Sequence, residues 1–353
     1  MAMEKVDIIG GGIAGLALAG RLDPGRFAVT VYEQRPELPT VGTTLAMWTE
    51  AQQALAELGI LGAARSRGAI IKTGALRSPA GEPLLSMEGE GLMGISRPEL
   101  LTLLDSAVPK TVRRVNGRVE DLPKDAALTV GADGVNSVVR RDYWGKRSGA
   151  RPTPFLAVRG VIPEPPATGD IGEYWGRGEI FGLAPAGDGT NWYASFRSDD
   201  SLDKVDVAAA LELTRRRYAH YSPAVLRVLS LASPENSLAQ RIWTTPPMRR
   251  YSRGKVVLLG DAAHAMTPNL GRGACEALID AVTLAGLLNE KPLDAALAAY
   301  GRKRVPRTQQ LRLASSLMGN IALAQGMQPW RDALLKQVGK QVARSRKKAE
   351  TSK

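Results

Sequence analysis

Near its N-terminus the chain carries Gly10, Gly12 and Gly15 in the spacing G-x-G-x-x-G, set between the apolar run VDIIG and the helix-like segment IAGLALAGRL. Glycines so spaced let the backbone turn tightly, approach a pyrophosphate and pack a helix against the preceding strand. A second apolar run, FAVTVYE, occupies residues 27–33 and ends on Glu33, 23 residues beyond Gly10. At that distance, at a strand's end, a carboxylate accepts hydrogen bonds from adenosine ribose hydroxyls. Together these features predict a βαβ unit of a doubly wound sheet that binds a dinucleotide. The acidic reader disfavours NADP in this primary site, because a 2'-phosphate would meet a like charge, and it leaves NAD or FAD.

Farther along, residues 50–63 and 97–107 read as helices, and LTVGADG at 128–134 reads as a strand running into a glycine turn. Between 150 and 250 the pattern changes to strand-like runs (FLAVRGVI, EIFGLAPA, TNWYASFR, NSLAQRIW) separated by Gly, Pro and Asp turns, with a helical stretch at 206–218. GKVVLLGDAAHAM then returns to a buried strand, 272–289 has helical spacing of apolar residues, and 293–327 is rich in alanine and leucine. The predicted class is α/β: a Rossmann-like domain interrupted by a mostly antiparallel β-sheet substrate domain and closed by C-terminal helices. The expected boundaries are 1–148 and 253–330 for the two parts of the cofactor domain with its helices, 149–252 for the insertion, and 331–353 for a basic tail.

Three ordered segments, VTVYEQR at 29–35, VGADGVNSVVR at 130–140 and VVLLGDAAHAMTPNLGRGACEALIDA at 256–281, resemble the single-component (class A) FAD-dependent aromatic monooxygenases, with the fold of para-hydroxybenzoate hydroxylase. The resemblance covers nearly all of residues 5–310. It implies FAD held by Gly10, Gly12, Ala14, Gly15, Glu33, Gln34 and Arg35 at the adenosine and diphosphate end. Arg97 and Asp133 would add further contacts, Asp261 would lie at the ribityl chain and phosphates, and Gly271, Gly273 and Ala274 beside the flavin ring. It also implies NADH or NADPH as reductant and transfer of one oxygen atom, through a flavin C4a-hydroperoxide, to an aromatic or polyketide-like small molecule, with hydroxylation the expected outcome. Read from residues alone, Asp261 follows an apolar strand, at the strand ends where open α/β sheets bind ligands. A helix beginning near Gly273 offers free N–H groups to a polarised carbonyl or an anionic ring. Arg140 is read either as a phosphate ligand or as the partner of a surface carboxylate.

Two departures stand out against that family. Where its members commonly read GQGxN, this chain has Gly271-Arg272-Gly273-Ala274-Cys275, which puts a cation near the flavin or its mouth unless Arg272 points to solvent. Only 35 residues separate Arg97 from Asp133, so one peripheral sheet is expected to be trimmed. Pocket candidates are Met47, Trp48, Arg159, Tyr174, Trp175, Trp192, Tyr193, Arg197 and Arg272. Strand alternation puts Trp192 and Phe196 on one face and Tyr193 and Arg197 on the other, without saying which face meets substrate. His264 is expected to shape the loop rather than act as a base. His220 is expected at a helix end, and Cys275 is expected to pack as a small hydrophobe.

Composition narrows the remaining classes. One cysteine and two histidines exclude an intramolecular disulfide framework and leave almost no material for a zinc site. No run of eighteen apolar residues suggests a transmembrane anchor, and the N-terminus lacks a basic, cleavable leader, so a cytoplasmic protein, monomer or homodimer, is expected. Net charge is +12, of which residues 331–353 supply +6 from eight Lys/Arg and two Asp/Glu. No zinc-finger spacing or RNA-binding aromatic motif accompanies that charge, and nucleic acid is not expected as a partner. In the tail, Trp330, Leu334, Val338 and Val342 recur every four residues, a stripe that would dock on the protein, a membrane surface or a partner. A flavin halogenase would be expected to show W-x-W-x-I-P, which does not occur, so halogenation is not expected. An FAD-dependent dehydrogenase or reductase and a noncatalytic dinucleotide-binding protein are the alternatives.

Overall fold

The computed structural model describes residues 3–39, 42–198, 205–326 and 328–350, the side chains of 87–90 and 342–350 excepted. Its first layer is a six-stranded sheet in the order β13-β14-β7-β1-β2-β6. The strands are β1 (Glu4–Ile9), β2 (Phe27–Glu33), β6 (Arg113–Asn116), β7 (Leu128–Gly131), β13 (Ser252–Arg253) and β14 (Val256–Leu258). All pair in parallel except β13. β7 and β14 are short and wholly buried, as strands covered on both faces must be, and β1 buries Val6, Ile8 and Ile9 while Lys5 is exposed. Helix α1 (Ile13–Arg21) buries Ile13 through Ala19 between this sheet and α9 (Gly273–Glu290), and its small residues allow the close approach.

An eight-stranded mixed sheet forms the second layer, in the order β12-β8-β11-β10-β9-β4-β5-β3. Its inserted strands are β8 (Arg151–Ile162), β9 (Gly172–Trp175), β10 (Glu179–Ala186), β11 (Gly189–Arg197) and β12 (Ser237–Thr244). Three more come from before the insertion: β3 (Thr44–Met47), β4 (Ala69–Arg77) and β5 (Pro83–Ser96). They join through the parallel pair of β4 with β9, so segments 44–47 and 69–96 extend the substrate-side sheet.

One face of this sheet is covered by α6 (Val207–Arg217) and α7 (Pro223–Leu231) over Phe181, Trp192 and Phe196. The opposite face meets the end of α10 (Leu293–Ala322) and α11 (Gln328–Glu350) around Trp175, Ile180, Ala322 and Leu335. The shorter helices are α2 (Thr49–Glu57), α3 (Leu61–Arg67), α4 (Arg97–Ser106), α5 (Val138–Trp144) and α8 (Asp261–His264). The helix expected over 50–63 is two helices, broken at Gly59, whose φ of +74° no helix accommodates. Between Arg97 and Asp133 the described chain makes α4, β6 and β7 and no further sheet.

α11 docks by a different face from the one its spacing suggests. Leu335 packs into the sheet-side cluster, buried Arg331 donates to the carbonyls of Trp175, Gly176 and Ala322, and a side chain at Gly339 would meet the Leu84 carbonyl at 2.8 Å. Trp330, Leu334 and Val338 are exposed instead, and the Val342 side chain lies outside the described residues.

Candidate functional site

At the end of β1 the glycine turn is dictated by space. Gly10 has φ +110°, and a Cβ there would stand 2.4 Å from the Ala132 carbonyl oxygen. A Cβ on Gly15 would fall 1.9 Å from the Gly10 carbonyl oxygen, so only glycine lets α1 start this close to the strand. A Cβ on Gly12 would meet nothing within 4 Å, so this turn is open on the side where a ligand would approach the first N–H groups of α1. Glu33 lies across the turn: Oε2 accepts from the Gly11 N–H at 2.7 Å and Oε1 from the Arg35 N–H at 2.9 Å. The Gln34 and Arg35 side chains beside it are exposed.

Asp133 follows β7, next to the same turn. Its Oδ2 accepts from the N–H groups of Val138 and Val139, at 2.7 and 3.3 Å, which fixes the start of α5. Its Oδ1 is buried with no partner among the described residues, and burial holds the carboxyl above the usual range despite those N–H groups. A buried acceptor with a free lone pair at a dinucleotide turn fits a polar ligand group. Arg97, exposed at the start of α4, has no carboxylate partner among the described residues.

Arg140 is neither a phosphate ligand nor a surface ion-pair partner. It is fully buried and donates to the backbone carbonyls of Ser148 and Ala262, both at 2.8 Å, and of Val135. A guanidinium presents several donors in a fixed fork, and here that fork ties the loop after β7 to the segment after β14.

β14 delivers that segment. Gly260, at φ +54°, turns the chain so that Asp261 opens α8 with an exposed carboxylate, whose Oδ1 lies 4.0 Å from where a Gly273 Cβ would be. Gly271, also left-handed at φ +59°, lets the chain enter α9 beside Ala46 of β3. Cys275 is fully buried and its thiol donates to the Ala46 carbonyl; burial pushes the thiol up to about 11, so it packs rather than reacts.

Behind this loop lies a buried ion network that sequence reading missed. Arg304 of α10 donates to Glu276 and Asp280 of α9, both at 2.6 Å, and His264 Nε2 pairs with Asp280 at 2.6 Å. Burial opposes ionisation of Asp280, yet His264 and Arg304 hold it below its ordinary value; the same pairing holds His264 above its own, against burial. Asp280 also accepts from the Gly260 N–H at 2.9 Å, so the network fixes the turn that presents Asp261. The available signal was two acids spaced i, i+4 on an otherwise apolar helix.

Arg272 does not offer a free cation to the flavin region. It is paired with Glu276 at 2.9 Å and Glu50 at 3.3 Å and lies over the ring of half-exposed Trp48, 5.7 Å from its centroid.

On the sheet, register assigns the two faces. Trp192 is fully buried and stacked on Phe181, and Tyr174 is fully buried in the same cluster with its hydroxyl on the Asp170 carbonyl. Both belong to the packing against α6 and α7 and not to a pocket; Met47 is likewise a core residue. Arg159, Tyr193, Gly182 and Glu173 lie in one row across β8, β11, β10 and β9 on the other face. Without a Cβ at Gly182 the Tyr193 ring lies across β10, and its hydroxyl is committed to Glu173, which also accepts from the Trp175 indole. Tyr193 is thus no free donor. Buried Arg159 Nε has no partner among the described residues.

Arg197 lies over Phe155 at the open end of this face. There a cavity of about 380 Å³ is lined by Arg151, Phe155, Arg197, Thr267, Asn269 and Arg312, among others, with no Asp or Glu of the described residues in its lining. Thr267 and Asn269 belong to the loop leading to Gly271, so the cavity adjoins the glycine loop at α9. His220 is exposed near Glu179, past the end of α6, and takes no part.

A Rossmann-like domain whose inserted sheet walls a cavity beside the second glycine loop defines a flavoprotein oxidoreductase class. Comparison with known proteins fixes it further. A family model described as an FAD binding domain matches residues 103–315, and one for an NAD(P)-binding Rossmann-like domain matches residues 8–51. The chain is 34% identical over 343 residues to an aurachin C monooxygenase/isomerase of Stigmatella aurantiaca, covering 89% of this chain and 88% of that one. It is 26% identical to an FAD-dependent urate hydroxylase of Klebsiella pneumoniae, with 96% of each covered. The structure of Klebsiella pneumoniae HpxO complexed with FAD and uric acid superposes with a TM-score of 0.85 at 24% identity, over 97% of this chain and 95% of that one. The chain belongs to the class A FAD-dependent aromatic monooxygenase family. It is an FAD-dependent monooxygenase, with NAD(P)H as electron donor.

Proposed function

We propose that this enzyme hydroxylates a small aromatic or fused-ring acceptor carrying negative charge, held in the cavity between the β8 and β11 face and the loop at 267–271. The observation that carries this reading is the cavity lining: Arg151, Arg197 and Arg312, with no acidic residue among the described residues that line it, beside the loop that presents Asp261, Gly271 and Gly273. Hydroxybenzoate and urate hydroxylases among the relatives act on acidic rings, in keeping with such a lining.

The residues present fit FAD. The α1 N-terminus and the open Gly12 would hold the diphosphate, Glu33 the adenosine ribose, and Asp133 Oδ1, Arg97 and Asp261 the polar groups of the linking chain. Ala14 lines the same turn, while Gln34 and Arg35 stand at its rim. Gly273 and Ala274 open α9, whose N–H groups would lie at the polar edge of the ring, with Gly271 giving the turn into it. Reductive activation of oxygen is the chemistry that FAD supplies when bound. The protein's own part is to orient the acceptor through arginine, to exclude water with Phe155 and the α10 wall, and to fix the loop from behind through Asp280.

The enzyme is read as cytoplasmic, monomeric or homodimeric; no helix among the described residues is long and apolar enough to cross a membrane. The test is a panel of hydroxylated aromatic acids and their amides, with NAD(P)H oxidation and hydrogen peroxide measured together. Acids should stimulate oxidation with little peroxide, and Arg197→Gln should raise their KM more than it lowers kcat. Equal response to acids and amides would reject the anionic acceptor.

A further inference from the structure

From Leu313 to Trp330 the chain has eighteen consecutive residues without Asp, Glu, Lys or Arg, bounded by Arg312 and Arg331. The stretch covers the last third of α10 and the start of α11. On α10, Leu313, Leu317 and Ile321 recur every four residues and are 62%, 62% and 43% exposed. On α11, Trp330, Leu334 and Val338 follow the same spacing at 78%, 61% and 38%. Six of the eleven exposed large hydrophobic side chains of the described residues therefore lie on these two consecutive helices, a concentration that scattered surface apolar residues do not show.

The fold does not use these side chains. α11 is already seated through Arg331, Leu335 and Gly339, and Lys336 pairs with Glu82, so its apolar stripe is what remains after docking. Positive charge flanks it in the sequence. Beyond Val338 come Lys340, Arg344, Arg346, Lys347, Lys348 and Lys353 against Glu350 alone, and before Leu313 come exposed Arg302, Lys303 and Arg307, then half-buried Arg312. A second copy of this chain would bring like charges together at such a face. An anionic bilayer would satisfy both parts, with apolar side chains at the acyl boundary and cations among the phosphates.

We propose that the α10–α11 corner docks peripherally on a membrane surface containing anionic phospholipid. Leu313, Leu317, Ile321, Trp330, Leu334 and Val338 enter the interface, and the basic tail strengthens the attachment. Arg312, Ser316 and Asn320, on the same turns of α10, line the cavity beside the flavin loop. Docking thus places that cavity near the lipid surface, which matters for catalysis only if the cavity is the acceptor site proposed above; docking itself does not depend on that reading.

The test is flotation of the full-length, FAD-loaded protein with vesicles of phosphatidylcholine alone or mixed equally with phosphatidylglycerol. Binding is expected to the mixed vesicles, weaker in high salt, and reduced at least about tenfold by Leu317→Ser with Leu334→Ser. Bound FAD and an unchanged melting temperature establish that this variant is folded. If it is not, Trp330→Ser alone, at the most exposed position, must weaken flotation. Failure of the mixed vesicles to float the protein at low salt overturns the proposal, as does undiminished binding by the folded variants. A concentration-dependent dimer in light scattering, abolished by the same substitutions, would assign the face to a second copy instead.

Discussion

Replacing Arg304 by methionine keeps the side chain's bulk and removes the charge that joins Glu276 to Asp280. Both carboxylates are fully buried, Arg304 contacts each at 2.6 Å, and the charged side chains left to them are Arg272 and His264, with the Gly260 N–H also on Asp280. Removing one partner of a buried ion pair costs about 3–5 kcal/mol, chiefly because the remaining charge is left poorly compensated. With an unfolding entropy of about 2.1 cal/mol/K per residue, 353 residues give roughly 0.7 kcal/mol/K, so the melting temperature should fall by about 4–7 °C. Adding Glu276→Gln removes one of the stranded charges, so the double variant should recover about 1–3 kcal/mol relative to additivity. Differential scanning calorimetry of the apoprotein and urea melts at neutral pH measure both quantities. A loss below about 1 kcal/mol in Arg304→Met, or strict additivity in the double variant, would refute the claim that this network braces the loop from Gly260 to Gly273.

Three further outcomes follow from the same geometry. Glu33→Gln removes the charge from the carboxylate that bonds the Gly11 and Arg35 N–H groups, and FAD affinity measured by flavin fluorescence should drop about 10–100-fold, as for loss of a charge-assisted hydrogen bond. The His264–Asp280 pair has a defined pH window: Asp280, lowered from 3.8, loses its contribution as pH falls below that value, and His264, raised from 6.5, loses its contribution as pH climbs above 6.5 towards its folded value. The stability difference between the native protein and Asp280→Asn should therefore be greatest between about pH 4 and 6.5, and a flat difference in urea melts across pH 3–8 would contradict it. With its thiol pushed up to about 11 and fully buried, Cys275 should resist aromatic disulfide reagents at neutral pH in the folded enzyme and react on unfolding.

How far the sequence discloses this architecture depends on whether a feature is local. The Gly10 to Glu33 unit is legible because its constraints act within one turn and two adjacent strands, where spacing stands in for geometry. The loop carrying Asp261 and Gly271 is legible for the same reason. Strand alternation separates Trp192 from Tyr193 but cannot say which face receives α6 and α7, since those helices come later in the chain and pack non-locally. That is why Trp192 and Tyr174, attractive as ring walls, are core residues. Tyr193 illustrates a second limit: its reach to Glu173 depends on the missing side chain at Gly182, a neighbour only after β10 and β11 pair. Arg140 shows a third, because a buried guanidinium satisfied by backbone carbonyls has the same sequence appearance as an exposed one. Strands β4 and β5 pair with each other, and their place in the substrate-side sheet escapes notice because β9, which joins β4 to the inserted strands, lies about a hundred residues away along the chain.

Oxygen incorporation is the most direct measure of the central claim. The purified yellow protein, given NAD(P)H and an acceptor under isotopically labelled oxygen, should yield a product carrying one labelled atom, and Arg197→Gln should divert reducing equivalents to hydrogen peroxide. A product formed at full rate without label would mean that the flavin only oxidises its substrate, and the oxygen-transfer account would be wrong.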